Sequence, residues 1–274
     1  MTQSVAFIGL GAMGYRMAAH LPKYFDTVYV WNRNFSKAEQ HATEFGTIAS
    51  ELEQAAQADV IFSCLPTSQD VENLISSIKI KSGAIWIDCT SGVPDAARRL
   101  AEQLKAQNVA FLDAPVSGQT IGAENATLTF MVGGDIDAFE RAYPAMSALG
   151  KLIQHVGESG AGFAVKAINN MLLAVNLWSV AEGFTTLKAH GVNLDAALNC
   201  INASSGKSLV TENIFPQRVL SREFPVTFAL PLLAKDTGIA LDLVHDAKLP
   251  APILSLAQSL IQADRKSTRL NSSH

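Results

Sequence analysis

Short apolar runs alternate with amphipathic stretches through the first half of the chain. The amphipathic stretches, such as SKAEQHATEF and PDAARRLAEQLKAQN, have helical periodicity, and the second begins with Pro94 in its first turn. The apolar runs are rich in β-branched and aromatic residues, as strands covered by helices on both faces are. They are SVAFIG, TVYVWN, DVIFSCLP, AIWIDCT and VAFLDAP. Strands separated by helices predict right-handed βαβ units and a parallel, doubly wound sheet. Two further candidate strands, TLTFMVGG and KLIQHVG, are expected to extend one edge.

After Gly157 the pattern becomes helical throughout. Between Gly160 and His190 the charged residues are Lys166, Glu182 and Lys188 alone. Because a helix that is apolar nearly all round must be packed all round, we expect one long interdomain helix that forms the spine of an all-α domain. The predicted domains are therefore residues 1–158 with the sheet and residues 159–264 with helices.

The last ten residues, RKSTRLNSSH, differ in composition from the helix before them and resemble translated cloning-linker sequence. We interpret residues 265–274 as a non-native tail. Because this tail has little apolar surface to offset the entropy of ordering it, we expect disorder from Arg265 onward.

Composition and charge argue against several classes of protein. A net charge of −4 provides no basic field for a phosphate backbone, so we expect no nucleic acid partner. The most apolar stretch, Ala167–Ala181, is too short to span a bilayer and contains three asparagines.

Three widely spaced cysteines and six histidines show no metal-ligand spacing, which predicts a reducing compartment and no bound metal. A strand-like run from Val5 leaves no room for a leader peptide, so we expect a cytoplasmic protein.

The segment VAFIGLGAMGYRMAAHL places three glycines between a strand and a helix. In a dinucleotide-binding loop of the Rossmann type, Gly9 permits the tight turn, Gly11 lets the pyrophosphate approach the backbone, and Gly14 lets helix and strand pack closely. A glycine-rich turn without a ligand is the alternative interpretation. The strand before the loop and the helix after it favour the dinucleotide.

The end of the second predicted strand reads WNRNFSK, where a carboxylate would bind the ribose of NAD. Asn32 and Arg33 stand there without an acid, which favours NADP over NAD. Lys37 adds a second positive charge for the 2′-phosphate, although Arg33 and Lys37 are also compatible with a solvated loop and a helix surface.

Polar clusters follow three of the predicted strands, at the edge where open α/β sheets bind ligands. The clusters are CLPTS, DCTSGVP and DAPVSGQTIGAENATL. Each alone is compatible with a turn whose polar side chains hydrogen-bond to its own backbone.

Lys166 and Asn170 are four residues apart on the long helix, so both side chains lie on one face. Burial there would lower the pKa of Lys166 toward the range of proton transfer; a lysine at a frayed helix start with its amine in water is the alternative.

Together these motifs resemble the β-hydroxyacid dehydrogenases, the family of 3-hydroxyisobutyrate dehydrogenase, tartronate semialdehyde reductase and the glyoxylate/succinic semialdehyde reductases. The resemblance covers about Val5 to Ile261 and rests on four ordered motifs. They are G-x-G-x-M-G-x-x-M with Met13 and Met17, D-C-T-S-G-V-P from Asp88 together with D-A-P-V-S-G-Q from Asp113, G-x-G-x-x-x-K-x-x-x-N from Gly160, and Phe228 with Lys235-Asp236. The chain departs from the family at Gln119 and Ala126, where glycines are usual. Gln119 suggests that the acid bound is smaller or differently shaped than usual.

The resemblance implies a role for each matching residue. Lys166 would be the catalytic acid-base and Asn170 would fix the reacting oxygen. Ser117 with the backbone amides of Gly118 and Gln119 would hold the substrate carboxylate, and Phe228 and Asp236 would also face the substrate. The expected cofactor contacts are Gly9, Leu10, Gly11, Ala12, Met13, Gly14, Asn32, Arg33, Lys37, Leu65, Pro66, Ser91 and Lys235.

The resemblance thus predicts reversible hydride transfer between NADP(H) and a small β-hydroxyacid or its semialdehyde. The long apolar interdomain helix favours a homodimer or homotetramer. An imine reductase-like NADPH enzyme and a relative of 6-phosphogluconate dehydrogenase share the expected architecture. The intact lysine and asparagine disfavour the first and the chain length disfavours the second. A catalytically inactive dehydrogenase-like oligomerisation module is the alternative of another class, although such modules typically lose the lysine.

Overall fold

The computed structural model describes the backbone of residues 3–224 and 228–271, with side chains up to Asp264. The chain divides into two compact units, residues 1–166 and 167–274. This division lies eight residues beyond the predicted domain boundary at Glu158, inside the long helix. The reason is that the first turns of the long helix belong to the sheet unit: Phe163 is 1% exposed and lies in the apolar core of that unit.

Unit 1 contains one sheet formed by the described residues. Its strands are β1 Val5–Ile8, β2 Val28–Trp31, β3 Ile48–Ala49, β4 Val60–Ser63, β5 Ile85–Asp88, β6 Ala110–Asp113, β7 Val116–Ser117, β8 Leu128–Gly134 and β9 Gly150–Gly157. The order is β3-β2-β1-β4-β5-β6-β8-β7, with β9 on β8. Strands β1 to β6 are parallel, which confirms the doubly wound sheet. Strand β8 runs antiparallel to β6 and β7, so the added edge is mixed.

Helices cover both faces of this sheet. Those of unit 1 are α1 Gly14–Ala18, α2 Phe35–Phe45, α3 Leu52–Ala55, α4 Ser68–Ser76, α5 Pro94–Lys105, α6 Gln119–Glu124 and α7 Ile136–Ser147, with a 3₁₀ turn at Leu21–Lys23. All four residues of β1 are buried: Val5 and Phe7 join one apolar cluster, whereas Ala6 and Ile8 join another. This alternation is the consequence of a strand with helices on both sides.

The described residues of unit 2 are helical, as predicted. Its elements are α8 Ala161–Ala189, which begins in unit 1, then α9 Leu194–Asn202, a π-helix at Val210–Leu220, α10 Leu230–Asp246 and α11 Pro252–Asn271. Asn193 begins α9 by accepting the backbone N–H of Ala196 at 3.0 Å. Three small apolar clusters hold these helices together.

The long helix α8 is not packed all round. Ala167, Met171 and Ala174 are at most 3% exposed, whereas Leu172 is 54% and Val165 is 40% exposed. The expectation of complete packing is therefore wrong for the single chain. Among the described residues, α8 is also the one helix long and apolar enough to cross a membrane, with 28% of that window buried. The expectation that this apolar stretch is too short to span a bilayer is therefore wrong for the whole helix, although one such helix is by itself weak evidence for a membrane span.

Helix α11 continues past Arg265 to Asn271. The predicted loss of structure at Arg265 is thus wrong for the backbone through Asn271, and residues 272–274 lie outside the described residues. Buried Ala257 and Ile261 fix the helix, and the residues that follow extend it at little cost because propagation is easier than nucleation.

Candidate active site

The glycine loop between β1 and α1 shows which glycines serve packing and which leave space. A Cβ on Gly9, whose φ is +96°, would lie 2.5 Å from the carbonyl oxygen of Cys64, and one on Gly14 would lie 2.0 Å from that of Gly9. A Cβ on Gly11 would have no atom within 4 Å. The first and third glycines therefore close the turn, while the second leaves the backbone open for a ligand. This arrangement fits a dinucleotide pyrophosphate.

A cavity of about 220 Å³ adjoins the loop. It is lined by Leu10, Gly11, Ala12, Tyr15, Arg16, Lys37 and Gln40. Arg16, which sequence reasoning did not single out, donates to the carbonyl oxygen of Ala12 at 2.8 Å. Two cationic side chains therefore border the cavity beside the glycine loop, a suitable environment for an anionic group.

Asn32 links the end of β2 to the glycine loop. Its Oδ1 accepts the N–H of Leu10 at 3.0 Å, and its Nδ2 donates to the carbonyl oxygen of Asn34 at 3.0 Å. Arg33 is exposed beside it and does not line the cavity. The structure thus gives Asn32 a role in shaping the loop.

A buried carboxylate ties together the loops after β4 and β5, where Leu65, Pro66 and Ser91 lie. Oδ1 of Asp88 accepts the hydroxyl of Ser63 at 2.9 Å and the N–H of Thr90 at 3.1 Å. The hydroxyl oxygen of Thr90 in turn accepts the N–H of Leu65 at 3.1 Å. Sequence reasoning missed this network. The available signal was Asp88, an aspartate at the end of an apolar run that forms β5.

The expected substrate loop follows β7. Ser117 is half-buried, Gly118 has a φ of +134°, and Gln119 begins α6 with a φ of +60°. Ala126, just after the same helix, has a φ of +52°. Both departures from the family's glycines therefore fall at left-handed backbone positions, where glycine avoids a steric penalty.

Ala126→Gly is expected to stabilise the protein by about 0.5–1 kcal/mol, since relief of the left-handed strain exceeds the added entropy of the unfolded chain. Ala123→Gly in the interior of α6 is the matched control, and it should destabilise by about 1 kcal/mol. Chemical denaturation measures both free energies of unfolding. A loss of stability in Ala126→Gly would contradict the strain argument.

Lys166 lies half-buried near the start of α8. The start of this helix is bound by Asp113, the fully buried last residue of β6. Oδ1 of Asp113 accepts the N–H of Gly160 at 2.7 Å, and Oδ2 accepts that of Phe163 at 2.9 Å. Burial raises the pKa of Asp113 to about 6, against the opposing effect of these two N–H donors. Sequence reasoning placed Asp113 in the substrate motif and missed this bond to the helix.

In unit 2 the structure brings Asn170, Asp236 and Lys235 together. Asn170 is 3% exposed, and its Nδ2 donates to Oδ2 of Asp236 at 2.7 Å. Nζ of Lys235 lies 3.1 Å from Oδ1 of Asp236, whose side chain is 3% exposed. Asp236 is thus a buried carboxylate, whereas the Lys235 side chain is 28% exposed. Phe228 is 36% exposed.

Among the described residues, no group of three or more His, Cys, Asp or Glu side chains could hold a metal ion.

Comparison with known proteins agrees with this geometry. Residues 4–157 match the NAD binding domain of 6-phosphogluconate dehydrogenase, and residues 160–272 match the NAD-binding family of NADP-dependent 3-hydroxyisobutyrate dehydrogenase. The chain is 35% identical over 268 residues to 2-(hydroxymethyl)glutarate dehydrogenase of Eubacterium barkeri, covering 95% of this chain and 89% of the relative. It is 36% identical over 270 residues to NAD-dependent L-serine dehydrogenase of Pseudomonas aeruginosa, covering 94% and 91%.

Among solved structures, 3-hydroxyisobutyrate dehydrogenase of Mycobacterium tuberculosis with L-serine superimposes with a TM-score of 0.88 at 31% identity, over 96% of this chain and 94% of that chain. The chain belongs to the β-hydroxyacid dehydrogenase family, whose members include 3-hydroxyisobutyrate dehydrogenase. It is accordingly an NAD(P)-dependent hydroxyacid dehydrogenase.

Proposed function

We propose that this enzyme transfers a hydride reversibly between NADP(H) and a small β-hydroxyacid or its semialdehyde, with Lys166 as general acid-base. The observation that carries the proposal is the placement of Lys166. It lies one turn into a helix whose start is bound to the carboxyl end of β6 through Asp113. The glycine loop, the Ser91 loop and the Ser117 loop follow strands of the same sheet, at the edge where ligands bind.

The nicotinamide cofactor, when bound, supplies or receives the hydride. In the oxidation direction, Nζ of Lys166 accepts the hydroxyl proton as a neutral amine. In the reduction direction, the ammonium donates that proton and stabilises the developing alkoxide. Ser117 and the backbone amides of Gly118 and Gln119 bind the substrate carboxylate.

The residues of unit 2 orient the reacting groups in this proposal. Asp236 accepts one N–H of Asn170, which fixes the amide and leaves its second hydrogen to bind the reacting oxygen. The family resemblance further assigns Phe228 and Asp236 to the substrate and Lys235 to the cofactor.

The proposed preference for NADP rests on the end of β2, where Asn32 and Arg33 replace the usual carboxylate and Lys37 lines the adjacent cavity. Arg33→Ala should reduce the NADPH over NADH preference in kcat/KM by more than about tenfold, because a charge-assisted contact to phosphate is worth about 1.5–3 kcal/mol. Arg99→Ala, which removes an arginine of α5 that is paired with Glu72 of α4, is the matched control. A wild-type enzyme that uses NADH equally well would refute the preference.

Steady-state turnover of a substrate panel tests the function. The panel contains glyoxylate, tartronate, succinic and methylmalonate semialdehydes, and also L-serine and 2-(hydroxymethyl)glutarate, the substrates in the names of two relatives. Cofactor-dependent turnover of at least one acid supports the proposal. Reduction of a cyclic imine without turnover of any acid would support an imine reductase instead, and no turnover at all would support an inactive module.

We also propose that the chain forms a homodimer or homotetramer through unit 2. Large apolar side chains on three of its helices are exposed in the single chain: Leu172 on α8, Leu232 on α10, and Ile253 and Leu256 on α11. Such exposure is typical of surfaces that a partner covers. Light scattering of the purified chain measures the assembly directly.

A further inference from the structure

The carboxylate of Asp113 binds the start of α8 at two points. Oδ1 accepts the N–H of Gly160 and Oδ2 accepts that of Phe163. The first turn of a helix has N–H groups without partners inside the helix, and here one buried side chain satisfies two of them. Two bonds to one rigid group fix both the position of the helix start and its rotation about its own axis.

Glycines allow this close approach. A Cβ on Gly162 would lie 2.3 Å from the carbonyl oxygens of both Asp113 and Met131. A Cβ on Gly133, in β8, would lie 2.6 Å from Oδ1 of Asp113 and 2.8 Å from the nitrogen of Gly162. Any side chain at either position would push α8 away from β6 and β8. The D-A-P-V-S-G and G-x-G-x-x-x-K motifs therefore meet at one contact. We call this contact the joint; it is formed by Asp113, Gly133, Gly160, Gly162 and Phe163.

The same helix start rests on the loop that carries Ser91. A Cβ on Gly92 would lie 2.4 Å from the ring of Phe163, so ring and loop backbone are in close contact. The joint thus touches the loop that the proposed function assigns to the cofactor, and Asp113 precedes Ser117 of the substrate loop by four residues. Lys166 follows Phe163 by three residues, less than one helical turn, so little flexible structure separates the joint from the amine.

We propose that Asp113 is a positioning residue that sets the location of the Lys166 amine relative to Ser91 and Ser117. This inference rests on the proposed function of Lys166. Asp113 itself does not touch the reacting atoms in this scheme, because both of its oxygens are committed to α8. An ordinary structural cap would stabilise the fold without selectively affecting the chemical step, and this difference makes the proposal testable.

Asp113→Asn is the first test. Asparagine has nearly the same shape, but its amide presents hydrogens to one of the two N–H donors, so the helix start must shift. We expect kcat to fall at least about tenfold, while KM for the hydroxyacid and the Kd of NADPH stay within about threefold.

Asp59→Asn is the matched control. The Asp59 carboxylate lies just before β4, at the amino-terminal end of that strand, where it accepts the N–H of Ser4 at 2.8 Å and binds Lys81 at 2.6 Å. The Asp59→Asn substitution should lower Tm and leave kcat unchanged.

Gly162→Ala is the second variant, because it displaces the helix without removing the carboxylate. Gly183→Ala is its control on the same helix, since a Cβ on Gly183 would meet no atom within 4 Å. We expect Gly162→Ala to reproduce the selective loss of kcat and Gly183→Ala to retain wild-type kcat.

A kcat in Asp113→Asn equal to that of Asp59→Asn, or a rise in KM with kcat unchanged, would overturn the proposal. Lys166→Ala distinguishes a failure of the proposed function from a failure of the positioning role of Asp113. If Lys166→Ala retains turnover, the proposed function fails. If Lys166→Ala loses turnover while Asp113→Asn and Gly162→Ala keep it, only the positioning role fails.

Discussion

Lys166→Ala is expected to lower kcat by about 10²–10⁴-fold, the usual contribution of a positioned general acid-base. The proton of the hydroxyl then has no acceptor and the developing alkoxide has no cation beside it. The Kd of NADPH should stay within about threefold, because Lys166 makes no contact with the cofactor in the proposed scheme. Single-turnover kinetics and fluorescence titration measure the two quantities.

Lys188→Ala is the matched control for this variant. Lys188 is an exposed lysine near the other end of the same helix, so its removal tests the general effect of lost charge on α8. Its kcat should equal that of the wild type. A Lys166→Ala enzyme with near-normal kcat would refute the assignment of the acid-base.

Gly14→Ala is expected to lower Tm by about 5–10 °C even without cofactor, because overpacking costs up to about 3 kcal/mol. The added methyl would lie 2.0 Å from the carbonyl oxygen of Gly9 and 2.8 Å from the ring of Phe7. Helix α1 must therefore move away from β1. Differential scanning calorimetry of the enzyme without added cofactor measures this loss.

Gly11→Ala provides the contrasting result in the same loop. Its methyl would meet no protein atom within 4 Å, so Tm without cofactor should stay close to the wild-type value. The methyl would instead occupy the open side of the loop, and the Kd of NADPH should rise by at least about tenfold, equivalent to 1.4 kcal/mol. Wild-type affinity in Gly11→Ala would show that the pyrophosphate does not approach the backbone there.

Much of the fold could be predicted because its signals are local. The apolar runs that form β1, β2, β4, β5 and β6 are continuous in sequence, and the glycine spacing marks the turn after β1. Strands β3 and β7 escaped prediction because each has only two residues, too few to show a period. The antiparallel direction of β8 also has no local signature, since an apolar run reads the same in either orientation.

The site was less predictable because its key contacts are distant in sequence. Asp113 and Gly160 are 47 residues apart, and an aspartate that ends a strand can bind a ligand, a neighbouring strand or a helix. Similarly, nothing around Asn170 indicates that Asp236, 66 residues later, holds its amide. Family resemblance predicts roles for Asn170 and Asp236, but the contact between them could be seen only in the structure.

The division after Lys166 affects where the protein can be truncated. A fragment that ends at Glu158, where the change of pattern suggests a natural cut, removes both N–H donors from the Asp113 carboxylate and uncovers the Gly92 backbone. The smallest stretch that encodes an intact nucleotide-binding module therefore includes the first two turns of α8. Natural recombination of this module with other helical partners would have to preserve that short stretch of helix, so the seam between exchangeable parts lies inside a continuous helix and not in a linker.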